Sequence, residues 1–299
     1  MSEKKKVLFL LGPTGVGKSS LAVEIAKKYN MEIISADSVQ VYKEFDIGSA
    51  KITPEEMSGV KHHGIDIMSP NEIFSASQFV NYTKEKIEEI SSQDKIPLIV
   101  GGTGLYVKSL VEGYNFGGTE RHDDFRAELE KEENEALFEK LKKLALEVAQ
   151  KIDKNNKVRL IRALEIATFG SEKQKNDVDY DFLCLALVMS REKLYENINK
   201  RAEKMVNSGL VEETRVLYEK YGDVQPLGAI GYKETLSYIK GEISKDQMLT
   251  LIAQHTRNYA KRQLTFLRGL DYVKYFDKTQ ENYKQEIEKE IEKWIQNSN

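Results

Sequence analysis

Uninterrupted apolar runs alternate with segments of helical periodicity along the N-terminal part of the chain. Residues 7–11 (VLFLL) read as a strand covered on both faces, because no polar position breaks the run. Residues 19–29 follow, with Leu21, Ile25 and Ala26 on one helical stripe. Residues 31–37 (MEIISAD) predict a second strand ending at Asp37, and residues 76–90 a helix with Phe79, Thr83, Ile87 and Ile90 at helical spacing. A third strand, residues 96–100 (IPLIV), stops at Gly101-Gly102. This alternation predicts a parallel sheet with helices on both faces.

The pattern changes near residue 116. From there to residue 179 no strand signal occurs. Leu137, Leu141, Leu144 and Val148 form one amphipathic stripe, and Val158, Ile161 and Leu164 another. Gly117-Gly118 opens the segment and the polar run FGSEKQKNDVD closes it. Residues 182–189 resume as a buried strand. The remainder reads as helical, ending in Tyr283, Ile287, Ile291 and Ile295 at fourfold spacing, a stripe expected to pack on the core. The expected architecture is α/β: one core from residues 1–115 and 180–299, interrupted by an all-helical insertion at residues 116–179.

Composition narrows the class. The 299 residues are 40% hydrophobic and 31% charged, as in a globular protein. No stretch approaches the roughly 20 apolar residues of a membrane span. The N-terminal lysines and VLFLL imitate a secretory leader only as far as Gly12-Pro13, where the apolar run ends without a cleavage site. The single cysteine, Cys184, excludes internal disulfides and multi-cysteine zinc sites. It fits a reducing cytoplasm, which is the expected location, and within FLCLALVM it reads as a small core residue. A net charge of −3 gives no sign of a polyanionic partner. Residues 254–268 (QHTRNYAKRQLTFLR), however, carry Arg257, Lys261, Arg262 and Arg268 and no acid. That window reads either as a solvated helix face or as a patch for a polyanion.

Between the first strand and the first helix lies GPTGVGKS. Gly12, Pro13, Thr14, Gly15, Val16, Gly17, Lys18 and Ser19 match G-x-x-x-x-G-K-[ST] in the strand–turn–helix setting the motif requires. Its glycines let successive N–H groups turn inward around phosphate oxygens, and the helix N-terminus adds a favourable dipole. Lys18 is expected on phosphate oxygens and the Ser19 hydroxyl on Mg²⁺. The motif specifies a diphosphate, not the molecule that carries it. P-loop hydrolases usually take an aspartate for Mg²⁺ from the end of an apolar strand. Here IPLIV ends in GGTG, while Asp37 and Asp66 remain alternatives from other strands.

Parallel sheets gather their ligand chemistry at the strand ends. Asp37 and Ser38 either cap a turn or present a carboxylate to a ligand. Gln40 and Tyr42 make the cluster richer than capping needs, and a carboxylate with an amide can read a purine edge. Thr103 either closes a tight turn or projects its hydroxyl into the same crevice. Arg201, in KRAEKM, either lies on the surface or stabilises a departing diphosphate. His62 and His63, adjacent on a loop beside Asp66, read as structural or polar-contact residues.

Together and in order, GPTGVGKS, ADSVQVYKEFDIGSAK, HHGIDI, VGGTGLY, RLIRALEI, AIGYKE and TRNYAKRQLTFLR make the chain resemble the bacterial tRNA dimethylallyltransferases, the tRNA isopentenyltransferase family. The resemblance runs from near residue 7 to about residue 270. It implies a P-loop-type core with an inserted helical domain that grips the anticodon stem-loop of a tRNA. The implied reaction moves a dimethylallyl group from dimethylallyl diphosphate to N6 of the adenosine 3′ to the anticodon, a base flipped out to reach the core. Mg²⁺ is the implied cofactor. Asp37 would be the general base. Lys18, Ser19 with Mg²⁺ and Arg201 would stabilise the leaving diphosphate, and Thr103 would contact the target nucleotide. Implied tRNA contacts are Asp37, Ser38, Val39 and Gln40, then Arg126, Val158, Arg159, Leu160, Ile161 and Arg162, and finally Lys261, Arg262 and Gln263. No protein partner is implied and a monomer is expected. The chain departs from the family pattern at Gly64, Gly228 and Phe266, where leucine, glutamine and tryptophan are common. The FGSEKQKND loop is also short, which bears on contacts with the tRNA body. With one cysteine, the zinc finger of eukaryotic relatives is not expected.

Three rival readings remain at this point. They are a small-molecule kinase using ATP, an isopentenyltransferase acting on free adenine nucleotides, and an RNA-binding module without catalysis. DSVQVY and GGTGLY, in place of a strand-terminal carboxylate, weigh against the first. The helical insertion and the basic window weigh against the second, and Asp37 beside a phosphate cradle against the third.

Overall fold

The structure, a computed structural model, describes residues 4–113, 122–170 and 180–297. Along the chain run β1 (Lys5–Leu11), α1 (Lys18–Lys28), β2 (Met31–Ala36), α2 (Pro54–Met57), β3 (His62–His63), α3 (Ala76–Ser91), β4 (Ile96–Gly101) and α4 (Gly104–Val111). Four helices follow: α5 (Asp123–Leu129), α6 (Asn134–Leu144), α7 (Leu146–Ala149) and α8 (Lys157–Phe169). The chain then continues through β5 (Tyr180–Val188), α9 (Arg191–Asn207), α10 (Leu210–Tyr221), α11 (Tyr232–Ile239), α12 (Lys245–Leu267), β6 (Val273–Asp277) and α13 (Tyr283–Gln296). These elements form two compact units, Met1–Val111 with Asp179–Asn299, and Glu112–Val178.

The larger unit is built on a six-stranded sheet of order β3-β2-β4-β1-β5-β6, parallel throughout. In β1, Val7, Leu8, Phe9, Leu10 and Leu11 are each at most 2% exposed. A strand covered on both faces needs such an unbroken run, and burying each side chain contributes about 1.5–3 kcal/mol. One core cluster joins Leu8, Leu10, Leu21 and Ile25 with Ile287, Ile291 and Trp294 of α13, so the C-terminal helix packs on the core. Cys184 is 1% exposed in β5, and burial pushes its thiol up to about 12, where it is inert.

Two strands escape the sequence reading. β6 buries Val273 and Phe276 but exposes Lys274 and Tyr275, so this edge strand lacks an apolar run in a region read as helical. β3 is only two residues long, which places His62 and His63 on the opposite sheet edge rather than in a loop.

The smaller unit is helical over its described residues. Leu129, Leu137, Leu141, Ala149, Leu160, Ile161 and Leu164 make its core. The expected stripe through Leu144 and Val148 does not continue. α6 ends at Leu144 and α7 begins at Leu146, which leaves Leu144 and Val148 exposed. Val158 is exposed as well, and Leu160 takes its place inside. Gly117-Gly118 and residues 171–179 of the closing loop lie outside the described residues.

Candidate active site

Three strands of the sheet end level. Gly101, the last residue of β4, pairs with Leu11 of β1 on one side and Ala36 of β2 on the other. Neighbouring strands lie about 4.8 Å apart, so the phosphate loop, Gly102 and Asp37 leave the sheet side by side within roughly 10 Å. A side chain at Gly101 would place Cβ 2.5 Å from the Ala36 carbonyl oxygen, so this close approach requires glycine.

A cavity of about 880 Å³ opens over these strand ends. Its wall takes Thr14, Gly15, Gly17, Lys18 and Ser19 from the loop and Asp37, Ser38, Val39 and Gln40 from the turn after β2. Asn197 and Arg201 reach it from α9, and Tyr259, Arg262 and Gln263 from α12. Pro13 and Val16 are buried beneath the loop. Gly12, at φ 144°, passes so close to β5 that a Cβ would lie 2.6 Å from the Leu187 carbonyl oxygen.

Within the loop, Lys18 Nζ folds back to donate to the Gly12 and Pro13 carbonyls, 2.9 Å each. Asp37 both caps a turn and lines the cavity. Its Oδ1 accepts from Val39 N–H (2.8 Å) and Gln40 N–H (3.2 Å), which orients the carboxylate and leaves Oδ2 outside the turn. Gln40 donates from Nε2 to the Ser49 and Ala50 carbonyls, at 3.4 and 3.3 Å. Arg201 donates to the same Ser49 carbonyl at 3.4 Å.

The charge balance of the cavity is positive. Burial, and then the neighbouring Arg201, bring the Lys18 ammonium down to about 7, opposed by Asp37. Burial likewise lowers the Arg201 guanidinium, again opposed by Asp37. Among the described residues no carboxylate lies within ion-pair distance of either cation. Lys18, Arg201 and Arg262 against Asp37 and Glu56 leave the lining net positive, and with a helix N-terminus beside it the cavity suits a polyanionic ligand.

Comparison with known proteins places this geometry. A family model for IPP transferase matches residues 40–270. The chain is 42% identical to the tRNA dimethylallyltransferase of Streptococcus sanguinis, over 98% of this chain and 99% of that one. The chain belongs to the IPP transferase family. Among solved structures, the full-length tRNA isopentenylpyrophosphate transferase of Bacillus halodurans superposes with a TM-score of 0.77 at 39% identity, covering 99% of this chain and 98% of that chain. A eukaryotic dimethylallyltransferase described as acting on tRNA gives 0.84 at 27% identity, over 99% of this chain and 80% of its own.

The residues singled out for this family from the sequence differ in their surroundings. Gln263 is 7% exposed, and its Oε1 accepts from Thr14 N–H at 2.9 Å, so it ties α12 to the phosphate loop. Arg262 lies over the Tyr259 ring, 5.7 Å from its centroid, and Lys261 is exposed on the same helix. Thr103 opens α4, its carbonyl accepting from Tyr106 N–H at 3.0 Å. In the helical unit, Val158 and Arg159 are exposed on α8, Leu160 and Ile161 are core residues, and Arg126 and Arg162 pair with the buried Glu165. His62 lines the cavity and its Nδ1 meets the Val60 carbonyl at 2.8 Å, while His63 Nε2 meets Glu32 at the same distance.

Tyr259, within TRNYAKRQLTFLR but not singled out from the sequence, also lines the cavity. Burial, and then the charge of Asp37, raise its phenol, with Thr103, Gln263 and Arg262 opposing the rise. Its hydroxyl therefore sits among the expected site residues. The available signal is spacing: Tyr259 precedes Gln263 by four positions and shares its helix face.

The Ser19 hydroxyl lines the cavity, a hard oxygen donor of the kind Mg²⁺ takes alongside phosphate oxygens. No group of three His, Cys, Asp or Glu side chains that could cage a metal occurs among the described residues. The site thus fits an ion shared with a diphosphate. Among the described residues no helix is long and apolar enough to cross a membrane.

Proposed function

We propose that this protein transfers a dimethylallyl group from dimethylallyl diphosphate to the N6 amine of the adenosine 3′ to a tRNA anticodon. The observation that carries the reading is the sharing of one cavity by Asp37 and two unneutralised cations, Lys18 and Arg201. The loop amides, Lys18 and Arg201 hold the diphosphate, and the Asp37 carboxylate orients the adenine amine. As N6 bonds to C1 of the allylic group, the C1–O bond breaks, the electron pair leaves with the diphosphate, and the amine proton passes to Asp37. An exocyclic amine is a weak nucleophile, so positioning and stabilisation of the leaving group supply most of the acceleration. Mg²⁺, held by the Ser19 hydroxyl and phosphate oxygens, would supply further neutralisation of the departing charge.

Thr103 and Tyr259 border the place of the target base, with Ser38, Val39 and Gln40 next to it. Lys261, Arg262, Arg159 and Val158 present exposed side chains for the tRNA. Arg126, Arg162, Leu160 and Ile161 act there by shaping α8, because their side chains are committed to packing or to Glu165. The relatives named tRNA dimethylallyltransferase support this acceptor. The test is transfer of label from dimethylallyl diphosphate to unmodified tRNA, with ATP and free AMP as competing substrates. Labelled tRNA is the expected product. Phosphoryl transfer from ATP, or prenylation of AMP alone, would contradict the reading.

A further inference from the structure

The phosphate loop is held from outside as well as from within. Lys278, in the turn after β6, donates from Nζ to the Val16 carbonyl at 3.1 Å. Its own backbone N–H donates to the Val188 carbonyl at 2.9 Å, which fixes that turn to the end of β5. From the other flank Asn197 donates from Nδ2 to the Gly15 carbonyl, also at 3.1 Å.

Peptide planarity gives these outer contacts a consequence inside the loop. In a trans peptide C=O and N–H point to opposite sides. Holding the Val16 oxygen against Lys278 therefore turns the Gly17 N–H the other way. Gly17 lines the cavity, has φ 86° and precedes the first turn of α1, so its N–H is one of the donors a phosphate oxygen would take. Lys278 is close enough that a Cβ on Gly17 would come within 2.3 Å of its Nζ.

The placement is electrostatically unfavourable without an anion. A helix N-terminus carries partial positive charge, and α1 has no acid in its first turn. Among the described residues no carboxylate lies within ion-pair distance of Lys278. A cation held against the outer face of the loop makes sense when a diphosphate occupies that loop.

We propose that Lys278 is a positioning residue for the allylic diphosphate, aiming the Gly17 amide and strengthening the local field; this rests on the diphosphate reading of the loop. The experiment titrates inorganic diphosphate, in Mg²⁺, into the wild type and the Lys18→Ala, Lys278→Met and Lys278→Arg variants by calorimetry. Steady-state kinetics and thermal unfolding accompany the titrations. Lys278→Met is expected to weaken diphosphate binding and raise KM for dimethylallyl diphosphate by about tenfold, the scale of one charge-assisted hydrogen bond. Its kcat and its KM for tRNA stay near wild type, and Lys278→Arg recovers most of the loss. Wild-type diphosphate affinity in Lys278→Met overturns the inference, and so does an effect confined to kcat or to melting temperature. A wild type whose diphosphate binding is indifferent to Lys18→Ala overturns the underlying reading of the loop instead.

Discussion

Basic side chains are treated in opposite ways in the two units. In the helical unit Glu165 is fully buried and accepts from Arg126 Nε (2.8 Å), Arg126 Nη2 (2.6 Å) and His122 N–H (2.8 Å), and Arg162 pairs with it too. Burial alone would raise that carboxyl, but Arg126, the His122 amide and Arg162 outweigh it and hold it down to about 2. In the α/β unit Lys18 and Arg201 face a cavity, with Asp37 as a neighbouring charge but no ion pair. An arginine in a motif is therefore not yet a ligand contact. What separates the two cases is whether the fold has already neutralised the charge.

The strongest way to break this contrast is through the one acid in the cavity that neighbours both cations. Asp37→Ala should lower prenyl transfer by roughly 10²–10⁴-fold, the range of general base catalysis, while tRNA binding by filter assay stays within a few-fold. Full activity would remove Asp37 from the chemistry. Next comes Glu165→Ala, which breaks a buried ion pair and should destabilise the helical unit by about 3–5 kcal/mol in thermal unfolding. Diphosphate affinity should not change. Arg201→Ala should show the reverse, with weaker diphosphate binding and no loss of melting temperature, because no ion pair is broken. Equal melting losses in both variants would erase the distinction. The smallest effect belongs to the surface. Replacing Lys261 and Arg262 with alanine should weaken tRNA binding and flatten the logarithmic salt slope by about 0.7–0.9 for each phosphate no longer neutralised. An unchanged slope would return that stretch of α12 to solvent.

Much of this architecture was legible because its central strands are apolar without interruption and its phosphate loop has a fixed spacing between glycines and Lys-Ser. β1, β4 and the centre of β5 are of that kind, and β2 is interrupted by Glu32 and Ser35. β6 was not, since an edge strand that exposes Lys274 and Tyr275 carries no clear period, and Lys278 was invisible with it. The level ending of three strands at Gly101 is a matter of register, which a linear pattern does not encode. In the helical unit periodicity placed Val158 inside and the structure places Leu160 there. A motif match likewise singled out Arg126 and Arg162 without revealing that Glu165, three residues after Arg162, was their partner.

The proposed chemistry makes a demand on Lys18, because a bound diphosphate would favour its charged form. With its folded value near 7 against 10.5 unfolded, the charged form of Lys18 is disfavoured in the free protein. The resulting cost to stability is full below pH 7 and fades as pH rises toward 10.5. The direct measurement is calorimetry of diphosphate binding in buffers of different ionisation enthalpy, comparing the wild type with Lys18→Arg, whose guanidinium is charged throughout. At a pH of about 8.5 the wild type should take up close to one proton more than the variant, and at a pH of about 6 the difference should vanish. Equal proton counts at both pH values would contradict it.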